Sequence, residues 1–115
     1  MKVAVVTPYY REPIEKLRRC HDSVMAQTRA CTHFMVADGF ARDEIDDWDV
    51  QHIRLPLGHA DFGNTPRCLG ALSALNQGFD GFAYLDADNW YHPEHAESLV
   101  EAAIRHDAAS SATGL

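Results

Sequence analysis

The chain has 115 residues, a length for one small domain rather than two. It is 46% hydrophobic and 23% charged, the balance of a globular domain. A net charge of -7 excludes a general nucleic-acid or anionic-membrane binder, which would carry a basic patch. Three cysteines, Cys20, Cys31 and Cys68, match no CxxC zinc spacing and read as reduced thiols in a cytoplasmic protein. No apolar run approaches the ~18 residues of a membrane span. The opening MKVAVVTPYY holds too short an apolar run for a secretory signal and suits a first strand better.

Residues 3–7 are β-branched and apolar, and Pro8 ends the run, so a strand buried on both faces is predicted there. Pro13 then opens an amphipathic helix. Ile14, Leu17, His21, Val24, Met25 and Thr28 fall on its apolar side. Residues 33–37 form a second strand, closed by the turn pair Asp38-Gly39. The acidic stretch DEIDDWD over 43–49 reads as a short solvated helix or loop, and 50–55 as a third strand. A loop containing Pro56, Gly58 and Gly63 leads to a helix capped by Asn64 or Thr65, with Pro66 in its first turn. Leu69, Ala71, Leu72 and Leu75 are its predicted apolar residues, and Gly78 stops it. Residues 82–85 make a fourth strand. Pro93 opens a last helix whose apolar face is Leu99, Val100, Ala103 and Ile104, with Arg105 and His106 at its end. The tail, DAASSATGL, reads as a frayed end or the start of another strand. The alternation of strand and helix predicts an α/β fold: a mostly parallel sheet of about four strands sandwiched by helices.

In such a sheet, ligands bind outside the carboxyl ends of the strands. The residues that follow each strand therefore belong together: Thr7 to Arg11, then Asp38 and Gly39, then His59, Asp61, Asn64 and Arg67, then Asp86, Asp88 and Asn89. Asp86 and Asp88 carry the chemistry. Two carboxylates at i and i+2 on a strand end can turn toward one hard divalent cation such as Mg²⁺ or Mn²⁺. The same spacing also serves a plain turn, with Asp88 or Asn89 capping it and Asp86 accepting backbone N–H groups. His92 and His95 are too few beside this motif for a metal centre of their own, and Cys20 and Cys68 read as small core fillers.

Five segments in order, VAVVTPYYR, SVMAQT, VADG, TPRCLGAL and YLDADNWYHPEH, resemble family 2 glycosyltransferases of the GT-A fold. The resemblance implies a Rossmann-like, nucleotide-sugar-binding N-terminal half spanning residues 1–115, truncated at its C-terminus. It implies that Asp86 and Asp88 hold a divalent metal, Mn²⁺ or Mg²⁺, on the diphosphate of a UDP-linked sugar donor. Pro8 and Tyr10 match the nucleoside pocket, and Arg67 matches a basic residue facing the nucleotide. Where the family often has two acidic residues after the second strand, this chain has Ala37 and Asp38. Asp38 then reads the base or only makes a turn with Gly39. No residue corresponds to the catalytic base on the acceptor side, so the acceptor stays unassigned and the piece alone is expected to bind rather than transfer. An uncovered edge would favour a homodimer. A nucleotidyltransferase-like enzyme and a non-catalytic interaction module on a degenerate transferase fold remain as alternatives.

Overall fold

A β-branched run flanked by turn residues favours an extended chain, and four such runs pair into one sheet. The computed structural model describes residues 2–56 and 64–113, with side chains through residue 104. Strands β1 (Val3–Tyr9), β2 (Cys31–Asp38), β3 (Gln51–Leu55) and β4 (Gly81–Tyr84) lie in the order β3-β2-β1-β4. Every pairing is parallel. Helix α1 (Ile14–Met25) follows β1, a 3₁₀ turn (Asp43–Asp47) follows β2, α2 (Asn64–Asn76) follows β3 and α3 (His95–Thr113) follows β4.

Side chains alternate across the sheet, and each face has its own core. Ala4 and Val6 of β1 join Phe34 and Val36 of β2 against Ala74 of α2 and Phe79. On the opposite face Tyr9, Met35 and Ala37 meet Leu17 of α1 and Ile45 of the 3₁₀ turn, while Val5 packs with Cys20 and Val24. Ile45 is the apolar anchor within the acidic 43–49 stretch, fully buried among solvated carboxylates.

Several sequence expectations need correction, among them Cys68, which is exposed on α2 and not a core filler. Pro8 does not end β1; it lies inside it, opposite Val36. The ladder to β4 stops at Val6 opposite Tyr84, so at Pro8 no β4 carbonyl awaits the absent N–H. The apolar face of α2 is also not its leucines. Pro66, Gly70, Ala71 and Ala74 are buried, while Leu69, Leu72 and Leu75 are 38%, 55% and 51% exposed. The cause is close approach: a Cβ added at Gly70 would lie 2.5 Å from Val6 Cγ1 and 3.1 Å from Val36 Cγ2. Only small residues let the helix backbone sit this near the sheet. Finally, the tail is helical through Thr113 rather than a strand, and α3 buries Ala96 and Val100 while Leu99 and Ile104 are exposed. The side chains of Arg105 and His106 lie outside the described residues.

Helix α2 ends as expected at Gly78, whose φ is 83°. Gly78 N–H bonds to Leu75 O and Phe79 N–H to Ala74 O, the paired bonds of a Schellman ending. The start of α3 is tied to α1 through Gln27, whose Nε2 donates to His92 O at 2.7 Å and whose Oε1 accepts the Ala96 N–H at 2.8 Å.

The core on the α1 face includes polar groups that satisfy one another. His33 Nε2 lies 2.7 Å from Thr7 Oγ1, and His33 Nδ1 lies 3.0 Å from His21 Nδ1. One Nδ1 must donate and the other accept, so the two rings cannot both carry a proton on Nδ1. Burial, then the neighbouring His21, pushes His33 down to about 3.

Two predictions follow from this packing. Gly70→Ala should lower unfolding stability by ~1–3 kcal/mol, the usual range for overpacking, as read by urea denaturation. An unfolded histidine takes up its proton near pH ~6.5, whereas folded His33 resists until about 3, so the unfolded chain binds more protons between these values. The urea midpoint should therefore fall as pH is lowered through that window, with a shallower fall in His33→Gln.

Candidate functional site

The strand order reverses beside β1. From β1 the chain builds outward to β2 and β3, then returns to place β4 on the other side. In parallel sheets this reversal opens a crevice at the carboxyl ends. Here β4 also stops short. Its ladder ends at Val6, extended once by Leu85 N–H to Val6 O at 3.1 Å, while β1 continues to Tyr9 alongside β2.

The chain leaving β4 turns in that notch. Asn89 N–H bonds to Asp86 O at 3.0 Å. Ala87, at the bend, is buried with Tyr9, Leu17 and Met35. Its burial leaves Asp86 and Asp88, on either side, exposed to solvent. Arg67, in the first turns of α2, donates from Nη2 to Asp86 Oδ1 at 2.8 Å. Arg19 of α1 donates from Nη2 to Asp88 O at 3.2 Å. An open cleft of about 420 Å³ lies beside the turn, lined by Arg67, Tyr84, Asp86, Asn89, Trp90 and Tyr91.

Among the described residues no group of three or more His, Cys, Asp or Glu is arranged to hold a metal alone. Two exposed carboxylates on one turn fit a different ion: one that completes its shell with water and phosphate oxygens, as Mg²⁺ does. Beneath the turn, Cys20 Sγ lies 3.8 Å from Asp86 O and 3.7 Å from Thr7 Oγ1. Burial pushes its thiol up to about 11, which suits the expected filler and not a nucleophile.

A second cluster stands at the ends of β1 and β2. The register sets Tyr9 opposite Ala37, so Tyr10, just past β1, lies at the level of Asp38, the last residue of β2. Tyr10 is exposed and meets Phe40 edge-on, with centroids 5.0 Å apart. The Arg11 guanidinium lies 4.1 Å from the Phe40 centroid. Asp38 is only 6% exposed, and Gly39 follows with φ 94°, a conformation that side chains rarely adopt.

Behind this cluster, Tyr9 is a buried hub. Its hydroxyl lies 2.6 Å from His52 Nε2 and accepts the Arg42 N–H at 3.1 Å. His52 Nδ1 lies 2.7 Å from Asp46 Oδ1, and Arg54 pairs with Asp46. Arg42 also donates from Nη2 to Glu12 O at 2.9 Å, which joins the loops after β1 and β2. Burial pushes the Tyr9 phenol up despite the nearby arginines.

The structure therefore brings Arg67 and Asp86 into contact beside Asp88, and sets Tyr10 and Asp38 at one level at the ends of β1 and β2. Pro8 lies buried within the strand rather than at the surface. His92 and His95 make local contacts, His95 N–H to His92 O and the His95 ring against Tyr91. His59 and Asp61 lie outside the described residues. Phe40, Arg19 and Trp90 were not singled out from sequence, while Arg11 was grouped with the residues after β1. Phe40 had a local signal in its place directly after the Asp-Gly turn, and Trp90 in its place two residues after Asp88.

The sequence model described as Glycosyl transferase family 2 matches residues 4–114. The chain belongs to glycosyl transferase family 2. The succinoglycan biosynthesis protein ExoW of Rhizobium meliloti (strain 1021) is 31% identical over 126 residues, covering 93% of this chain and 35% of ExoW. The crystal structure of S. aureus TarS superposes with a TM-score of 0.73 at 15% identity, over 93% of this chain and 20% of that one. TarS 1-349 in complex with UDP-GlcNAc superposes with a TM-score of 0.68 at 18% identity, over 94% of this chain and 32% of that one. The chain thus spans about a third or less of the relatives it matches. The expected fold, a GT-A-type parallel sheet between helices, is what the family 2 chain adopts.

For this family 2 domain, Tyr9→Phe should cost ~1–3 kcal/mol, because the part-buried Arg42 N–H and His52 ring lose their oxygen partner. A lowered thermal midpoint, with the circular dichroism of the folded protein unchanged, is the expected result.

Proposed function

We propose that this chain binds the nucleotide-sugar donor of a glycosyltransferase that moves a sugar onto an acceptor hydroxyl. The observation that carries the reading is the exposed Asp86–Asp88 turn, paired with Arg67, at the switch point of a family 2 fold. UDP is the proposed nucleotide, supported by the TarS complexes with UDP and UDP-GlcNAc.

Each residue has a role in this reading. Asp86 and Asp88 hold a divalent ion, Mn²⁺ or Mg²⁺. The bound ion supplies Lewis-acid stabilisation to the departing diphosphate. Arg67 balances Asp86 in the free protein, and its guanidinium can pair with a phosphate oxygen of the bound donor. Tyr10, with Phe40 beside it, offers an aromatic surface to the base or ribose. Asp38 offers a carboxylate to base or ribose donors at the same level of the sheet. Pro8 supports Tyr10 from within β1 rather than touching the donor. Transfer also needs a base that deprotonates the acceptor hydroxyl, and no residue described here is proposed for it.

Calorimetry with UDP and UDP-GlcNAc, with and without Mn²⁺, tests the proposal. Binding should depend on Mn²⁺, and Asp86→Ala and Asp88→Ala should each remove that dependence. Arg67→Ala should weaken UDP by about tenfold or more, the scale of a lost charge-assisted hydrogen bond. Binding that ignores both the metal and the two aspartates would sink the reading.

A further inference from the structure

Trp90 is 58% exposed, unusual for the largest apolar side chain. The chain has two tryptophans, and the other, Trp48, stacks on the buried His21 ring at 5.4 Å. Trp90 is not loose, however. The Arg19 guanidinium lies 4.2 Å from its ring centroid, and the same guanidinium donates to Asp88 O. One arginine from α1 thus fixes both the Asp86–Asn89 turn and the aromatic ring that follows it. The ring lines the cleft that also holds Asp86, Arg67 and Asn89.

We infer that Trp90 is the stacking platform for the sugar ring of the donor. This rests on the donor-binding reading above and extends it to the group transferred. In a nucleotide-sugar the sugar is bonded directly to the outer phosphate. A diphosphate held at Asp86 and Arg67 therefore carries its sugar into the cleft that Trp90 lines. The C–H groups on a pyranose face are slightly positive and complement the negative face of an indole. Asn89, which lines the same cleft, offers hydrogen-bond partners for the ring hydroxyls at the edge of that platform. The second aromatic site, Tyr10 with Phe40, lies at the ends of β1 and β2 and is left for the base. Arg19 is a positioning residue here, holding the ring and the turn in one frame.

Two measurements test this. UDP and UDP-GlcNAc are titrated with Mn²⁺ into wild type, Trp90→Ala and Trp90→Phe. Trp90→Ala should leave UDP affinity within about twofold and weaken UDP-GlcNAc about tenfold, with Trp90→Phe recovering most of the loss. In Trp48→Phe, Trp90 is the sole tryptophan, and its emission should respond to UDP-GlcNAc and not to UDP; this arm needs no change at Trp90. Equal weakening of both ligands in Trp90→Ala, or a Trp90 signal from UDP alone, overturns the inference and makes Trp90 a base platform, with the donor reading intact. A wild type that binds neither ligand removes the donor reading and this inference together.

Discussion

The carboxyl edge of this protein depends on one mismatch: β4 is shorter than β1. The β1–β4 ladder ends at Val6, but β1 runs on to Tyr9 with only β2 beside it. That leaves a notch at the centre of the sheet. The chain leaving β4 must turn into it, and the buried methyl of Ala87 fixes how it turns. Ala87 turns inward in this bend, and the residues on either side of it stay exposed. The paired exposed carboxylates are therefore a consequence of packing. Their mutual repulsion is offset in part by Arg67, which reaches Asp86 from the neighbouring helix.

Arg67 reaches that far because of small residues elsewhere. Gly70, Ala71 and Ala74 let α2 lie directly on Val6 and Val36. A helix seated on leucines would stand further from the sheet and carry its first turn, with Arg67, away from β4. The exposed leucines are the counterpart of that arrangement. Phe82 and Tyr84 on β4 are exposed as well.

The opposite face places polar groups where a strand core is normally apolar. Thr7 and His33 are fully buried, yet each has a partner, so neither carries the penalty of an unsatisfied group. Tyr9 and His52 do the same nearer the carboxyl edge. These bonds have directions, which apolar contacts lack. They hold the loops after β1 and β2 in one relative position, and those loops carry Tyr10, Asp38 and Phe40.

Strand and helix order, the parallel sheet and the place of the acidic turn were all legible in the chain. Periodicity and turn residues are local, and the carboxyl-edge rule follows from parallel pairing alone. The ordered segments resembling family 2 gave Asp86, Asp88, Arg67 and Tyr10 their expected roles. What local pattern could not supply was depth. Leu69, Leu72 and Leu75 look like a core stripe until Gly70 is found against the sheet, and Pro8 looks like a strand end until β4 proves short. Arg19 and Trp90 are 71 residues apart by number and have no shared pattern; only the packing of α1 beside the β4 turn brings them together. The sequence by itself determined which residues form each element and which edge of the sheet carries the chemistry. Tertiary structure alone decided which of them meet, because close approach and side-chain pairing depend on where separate elements come to rest.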